Sequence, residues 1–189
     1  MQASSFTLST AAREVAHAQV ASLIRSVPDF PSPGILFRDI TPVLHDAAAL
    51  DAAVRLHLDR IGDLGGKIDR VCGIESRGFL FGMAVAHALG AGFVPVRKPG
   101  KLPAATVHET YVLEYGQDRL HMHVDAVAAG DRVLVVDDLL ATGGTAGAAS
   151  RLIEGLGGTV AACLFLIELA GLEGRAKLGE RRVESIIVY

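Results

Sequence analysis

The chain contains no apolar run approaching the roughly 20 consecutive residues of a membrane span, although half of its 189 residues are hydrophobic and its mean hydropathy is +0.38. A membrane partner is therefore not expected. The polar start, MQASSFTLST, lacks the basic stretch and apolar core of a secretion signal, so a cytoplasmic location is expected. Only two cysteines occur, Cys72 and Cys163. Each lies inside an apolar run, VCGI or AACLFLI, with no second Cys close enough for a zinc pattern, which points to buried reduced thiols. There is no excess of basic residues: the net charge is −3 and the pI about 6.1, which argues against nucleic-acid binding through a broadly basic face. Any bound anion must meet positive charge concentrated locally. Internal repeats and low-complexity tracts are also missing, and the length suits one α/β domain spanning 1–189 better than two.

What is present is an alternation of apolar strands and helices. Ala12, Val15, Ala16, Val20, Leu23 and Val27 make a helical stripe, which PDFPSPG breaks with three prolines and a glycine. Asp46 can cap a helix carrying Leu50, Ala53, Val54, Leu58 and Ile61 and ended by Gly62. A strand is expected over residues 68–74, a buried helix in GFLFGMAVAHALG closed by Gly90, and a strand over 92–96. Over 106–124 the period changes to two, with Leu120, Met122 and Val124 alternating with His121 and His123 around a turn-like Tyr115-Gly116-Gln117-Asp118; this reads as an antiparallel hairpin. A strand at 132–136, a helix over 145–156, and strands at 159–169 and 183–188 complete the chain. Fully apolar strands alternating with helices imply a parallel sheet covered by helices on both faces, with the hairpin as an addition.

One stretch departs from this economy. VLVVDDLLATGGT, residues 133–145, ends an apolar strand in Asp137 and Asp138 and runs into a loop with two threonines and two glycines. In a doubly wound sheet, ligands sit beyond the carboxyl ends of the strands. There LLATGGT can aim backbone N–H groups and the hydroxyls of Thr142 and Thr145 at an anion, aided by the positive end of the next helix. No Lys follows the glycines, so this is not a Walker A loop, nor is it GxGxxG. The acids could be solvated and TGGT a tight connection, but two adjacent acids without a partner oppose each other. Because ionised carboxylates only accept hydrogen bonds, paired sugar hydroxyls are what they could hold. Strand side chains alternate, so both acids would reach one ligand only if the strand ended between them.

Positive charge is concentrated between Ser76 and Lys101, where Arg77, Arg97, Lys98 and Lys101 occur without Asp or Glu. Arg77 follows one expected strand and RKPGKLP another, so two strand ends can present cations to one sheet edge. An isolated surface cation would be a solvated rim; three on a Pro/Gly turn beside a phosphate site suggest more. His121 and His123 share a strand face, which a half-exposed strand explains without a metal.

The segment 133–145 resembles the phosphoribosyl pyrophosphate motif of type I phosphoribosyltransferases. That resemblance implies that Asp137 and Asp138 hold ribose hydroxyls while Ala141, Thr142, Gly143, Gly144 and Thr145 wrap the 5′-phosphate. ESRGFLFG, RKPGKLP, LEYG and FPSPGILFRDITPVL are similar to motifs of the adenine-using branch, in the same order. By that match Ser76, Arg77, Arg97, Lys98 and Lys101 bind pyrophosphate, with Arg97 reaching across a homodimer interface. Glu114 acts on the purine N7, Tyr115 helps to seal the site, and Leu36, Phe37 and Arg38 present backbone groups and a ring to adenine. The implied fold adds a hairpin lid, 104–126, and an N-terminal helix and base-binding hood, 1–35. Mg²⁺ is the implied cofactor, carried mainly by substrate oxygens, and the resemblance implies strain at the Glu75–Ser76 peptide, a non-proline cis bond being one form of it. The first dozen residues and ATVHETY have no counterpart in the resemblance. A different purine, or a non-enzymatic sensor of phosphoribosyl pyrophosphate, remains an alternative.

Overall fold

Uninterrupted apolar runs have no face to show water, and here they become the central strands. The structure is a computed structural model that describes residues 6–64, 66–113 and 116–189; the side chains of 112, 113 and 116 are also outside the description. It divides into two compact units, Met1–Gly62 and Asp63–Tyr189.

In the first unit, helix α1 (Thr10–Leu23) is capped by the Ser9 hydroxyl and is followed by an antiparallel pair, β1 (Arg25–Pro28) and β2 (Leu36–Asp39). A short helix α2 (Thr41–His45) then leads to α3 (Ala47–Arg60), whose N-terminus is capped as expected by Asp46, accepting from Ala49 N–H at 2.8 Å. Arg13 Nε donates to Asp59 Oδ2 at 2.6 Å, tying α1 to α3. Two expectations need correcting here. Val27 belongs to β1 rather than to the α1 stripe, because the helix stops at Leu23 and the chain pairs with β2. Ile61 is the C-cap of helix α3 rather than a residue within it, and Gly62 follows that cap and closes the helix as expected.

The second unit holds five parallel strands in the order β4-β3-β7-β8-β9: β3 (Arg70–Ile74), β4 (Gly92–Val96), β7 (Arg132–Leu140), β8 (Thr159–Glu168) and β9 (Val183–Val188). Helix α4 (Gly78–Leu89) connects β3 to β4, and α5 (Gly144–Gly155) connects β7 to β8. The two crossovers run in opposite directions along the sheet. Parallel crossovers are nearly always right-handed, so the helices lie on opposite faces and the winding reverses between β3 and β7. Side-chain alternation agrees: Val133 and Val135 join the core cluster that includes α5, while Leu134 and Val136 face the other way, all four being 0% exposed.

The hairpin, β5 (Thr106–Leu113) and β6 (Gly116–His123), forms as expected, but Gly116, Gln117 and Asp118 lie within β6 rather than in the turn. Its inner face is core: Tyr111, Leu120 and Met122 are buried in the cluster with α5. The backbone of Arg97 bonds to His121 in both directions, at 2.9 and 2.7 Å, and anchors the hairpin to the end of β4.

Candidate active site

A reversal of winding leaves a crevice beyond the carboxyl ends of β3 and β7. A cavity of about 330 Å³ lies there, lined by Glu75, Ser76 and Arg77 after β3, Lys98 after β4, Tyr111 of β5, Asp137, Asp138 and Leu139 of β7, and Thr145 of α5. Ser76, Arg77, Lys98, Asp137, Asp138 and Thr145, picked out separately by their chemistry, thus share one space.

The strand does not end between the two acids. β7 continues to Leu140, because its ladder with β8 runs on to the Leu140–Glu168 pair. On the other side the ladder with β3 stops at Gly73–Val136. Beyond that point β7 has an open edge, from which the cavity reaches side chains of both faces. Asp138 is 4% exposed, with Oδ2 3.0 Å from Arg77 Nε, while Asp137 Oδ1 accepts the Asp138 N–H at 2.9 Å. Both carboxyls sit above their ordinary pKa. Burial is the main cause for each; the Asp138 charge adds to it for Asp137, and Arg77 partly offsets it for Asp138. Helix α4 can approach this strand end because residue 78 is glycine: a Cβ there would lie 2.7 Å from the Val136 carbonyl and 2.8 Å from Asp137 Oδ1.

Next to the acids is a smaller pocket of about 70 Å³, lined in part by Asp137, Ala141, Thr142, Gly143 and Thr145. Gly143 is the N-cap of α5 with φ of 77°, a left-handed conformation that suits glycine, and no side chain caps the helix. The first-turn N–H groups and the dipole of α5 are thus available to an anion. Gly144 opens the helix itself.

The cations arrive already engaged. Arg97 Nε and Nη2 donate to Glu75 at 3.2 and 3.1 Å, and the Lys98 N–H donates to the same carboxylate at 2.9 Å. Burial alone would raise the Glu75 pKa; these bonds hold it below its usual value. Lys98 Nζ pairs with Asp118, which also accepts from the Tyr111 hydroxyl at 3.2 Å. That pairing raises the Lys98 pKa and lowers that of Asp118. The acid-free interval 76–101 is therefore balanced by carboxylates folded in from outside it. Arg97 and Lys101 do not line the cavity; Arg97 Nη1 donates to the Lys101 carbonyl at 3.0 Å and its guanidinium lies 5.9 Å from the Phe79 ring centre. The Glu75–Ser76 peptide is cis.

Glu75, Tyr111 and Asp118 were not assigned site roles from sequence. Tyr111 falls in ATVHETY, and its link to the site shows only in the folded register, where Asp118 is its direct cross-strand partner. Glu114 and Tyr115 lie outside the described residues. Leu36, Phe37 and Arg38 make up most of β2 in the first unit, where Phe37 meets Phe30 edge-on at 5.1 Å and Arg38 donates to Ser26 Oγ at 2.5 Å. His121 stacks on His108 at 5.4 Å, and among the described residues no three His, Cys, Asp or Glu side chains converge on a metal position.

A sheet with a switch point, two acids at a strand end and an uncapped helix start beside them define a doubly wound α/β protein with its ligand crevice at that edge. The family described as "phosphoribosyl transferase domain" matches residues 41–187. An adenine phosphoribosyltransferase of Methylococcus capsulatus is 57% identical over 166 residues, 88% of this chain and 96% of that protein. The crystal structure of adenine phosphoribosyltransferase from Thermoanaerobacter pseudethanolicus superposes with a TM-score of 0.88 at 50% identity, covering 92% of this chain and 99% of that one. The Saccharomyces cerevisiae enzyme, solved with an imino-altritol bisphosphate and adenine, gives 0.85 at 41% identity, covering 92% and 99%. The chain belongs to the type I phosphoribosyltransferases and, among them, to the adenine phosphoribosyltransferase family.

Proposed function

We propose that this enzyme transfers the phosphoribosyl group of 5-phosphoribosyl 1-pyrophosphate to N9 of adenine, giving AMP and pyrophosphate in purine salvage. The observation that carries this reading is the meeting of Asp137 and Asp138, the 141–145 loop and Arg77 at one crevice. The acids accept from the ribose hydroxyls, and the loop N–H groups with Thr142 and Thr145 hold the 5′-phosphate. This fixes C1′ toward the cavity. N9 attacks C1′ as the bond to pyrophosphate breaks, through a transition state with oxocarbenium character, and the N9 proton is lost from the base. Charge grows on the leaving oxygen, and Arg77, Lys98 and the nearby Arg97 and Lys101 are placed to stabilise it. Lining carboxylates are the hard oxygen donors that Mg²⁺ takes, so Asp137 and Asp138 fit an ion bound chiefly to substrate oxygens and waters; such an ion neutralises polyphosphate charge.

Adenine is assigned to Leu36, Phe37 and Arg38. Phe30, Ile35 and Leu36 are each close to half exposed, an apolar surface suited to a purine ring, with backbone groups reading its edge. Glu114 is assigned to N7 and Tyr115 to closing the site. Because the hairpin's inner face is core, the lid role falls to the tip of 104–126 alone. We place the enzyme in the cytoplasm as a homodimer in which Arg97 serves the neighbouring subunit. The exposed Leu80 and Met83 on α4 offer apolar surface for that contact.

The test is incubation with adenine, Mg²⁺ and phosphoribosyl pyrophosphate. AMP and pyrophosphate are expected in equal amounts, with guanine and xanthine inactive. Turnover of another purine in preference to adenine would reassign the base, and no pyrophosphate release with any purine would overturn the enzyme reading.

A further inference from the structure

The segment after β8 has no part in the chemistry above, yet its backbone packs against the phosphate loop. Residues 170–178 form two short 3-10 turns, Ala170–Leu172 and Gly174–Leu178, and Leu178 is buried in the core beside α5. The backbone of Gly174 lies directly behind the loop. A Cβ on Gly143 would come within 2.2 Å of the Gly174 carbonyl oxygen, and a Cβ on Gly174 within 2.2 Å of the Ala141 carbonyl and 2.9 Å of Leu140 Cδ1. Two glycines at one crossing bring the chains to a separation that no side chain permits.

What holds the segment there is Arg175. Its Nε and Nη2 each donate to Glu168 at 2.7 Å, one bond to each carboxylate oxygen, Nη1 donates to the Val183 carbonyl at 2.8 Å, and Nη2 reaches Ser185 Oγ at 3.4 Å. Glu168 is 6% exposed and sits opposite Leu140, the last residue of β7, where the Leu169 N–H also donates to the Leu140 carbonyl at 2.9 Å. Forked, charge-assisted pairs of this kind fix geometry as well as adding energy. One end of the clamp is thus the last residue of β8, paired with the strand that carries the acids, and the other is the segment packed against the loop. All four bonds of Arg175 are spent inside the protein, so it acts through the loop and not on a ligand.

We propose that Gly174 and Arg175, with Glu168, are positioning residues for the 5′-phosphate: they press the 141–143 backbone into the conformation that aims its N–H groups. This rests on the assignment of that loop to the phosphate. A loop with two adjacent glycines is conformationally permissive, and its pre-organisation must come from outside. A displacement of about 1 Å in such a cradle costs on the order of 100-fold.

The experiment measures ribose 5-phosphate and pyrophosphate binding separately by calorimetry, with steady-state kinetics and thermal unfolding on the same samples. Gly174→Ala is expected to weaken ribose 5-phosphate about 100-fold. Arg175→Gln is expected to weaken it about tenfold, the worth of one charged hydrogen bond. Pyrophosphate affinity, the KM for adenine and kcat at saturating sugar phosphate should stay at wild-type values, as should every value for Lys177→Ala, an exposed neighbour. If Gly174→Ala does not fold, Arg175→Gln decides alone. Equal losses for both ligands, or none for either, would overturn the positioning role. Failure of the wild-type protein to bind ribose 5-phosphate would instead overturn the sugar-phosphate assignment beneath it.

Discussion

At the scale of single residues, the two acids of β7 set function against stability. Both carboxyls are pushed upward chiefly by burial. A carboxyl whose folded pKa is raised contributes stability that is present below its unfolded value, near 3.8, and lost as pH rises through the folded one. The ligand-free protein therefore carries a penalty at neutral and alkaline pH. Asp137→Asn keeps an oxygen to accept the Asp138 N–H and removes the charge. It is expected to raise the melting temperature at about pH 8 by roughly 3 to 8 °C, worth about 1 to 2 kcal/mol, with the gain fading toward about pH 4. The same change should raise the KM for the sugar phosphate about 10- to 100-fold, the cost of a charged hydrogen bond. Calorimetric scans across pH, paired with kinetics, check both; an unchanged or lower melting temperature at alkaline pH would contradict the burial argument. The cysteines stay outside this chemistry. Both are fully buried, and burial pushes their thiols up, Cys163 to about 11, so they remain protonated and unreactive.

At the scale of elements, α3 carries a titration of its own. His57 is 1% exposed, its Nδ1 hydrogen bonds to the Ala53 carbonyl at 2.7 Å, and burial lowers its pKa from 6.5 to about 4. A depressed histidine contributes stability that is full above 6.5 and is lost as pH falls toward 4. Urea unfolding should show a decline of on the order of 3 kcal/mol over that interval, and His57→Gln, neutral throughout, should remove that slope. Reading the elements from sequence worked where pattern and punctuation agree. β4 and β9 match residue for residue, Asp46 caps α3, and α4 closes at Gly90. It failed where tertiary pairing overrides local preference. β1 and β2 have four residues each around a proline-rich turn, too few for a period. The acids in β7 carry no strand signal, and only the continuing ladder with β8 keeps them extended. At the site, the acids, the loop and Arg77 were legible because glycines and adjacent charges need a local reason. Glu75 and Asp118 were not, since their partners Arg97 and Lys98 are brought to them by folding.

At the scale of the whole molecule, the proposed homodimer gives Arg97 a task outside its own chain. Within one chain Arg97 is held by Glu75, so service to a neighbour requires exchange of that partner for an anion across an interface. Mixed dimers provide the check: one subunit keeps Arg97 and carries Asp137→Asn to weaken its own sugar clamp, the other carries Arg97→Ala, and the assay runs at sugar phosphate well below the raised KM. If Arg97 acts in trans, the only intact clamp, on the Arg97→Ala subunit, is served by the wild-type arginine, and about half of the dimer's activity should survive, since no step of transfer is lost there. Near-complete loss would place Arg97 in its own subunit's site.

Around the crevice, Arg77, Lys98, Arg97 and Lys101 stand against Glu75, Asp118, Asp137 and Asp138, four cations to four acids, with Arg77, Lys98 and Arg97 already paired before anything binds. A naked polyanion approaching this rim must displace those carboxylates to reach a cation, so inorganic phosphate or sulfate in the surrounding fluid gains little by entering. Admission favours a guest whose charge is already compensated and whose hydroxyls can occupy the carboxylate oxygens. Pairing cations in advance works as a filter against the commonest anions of the surroundings.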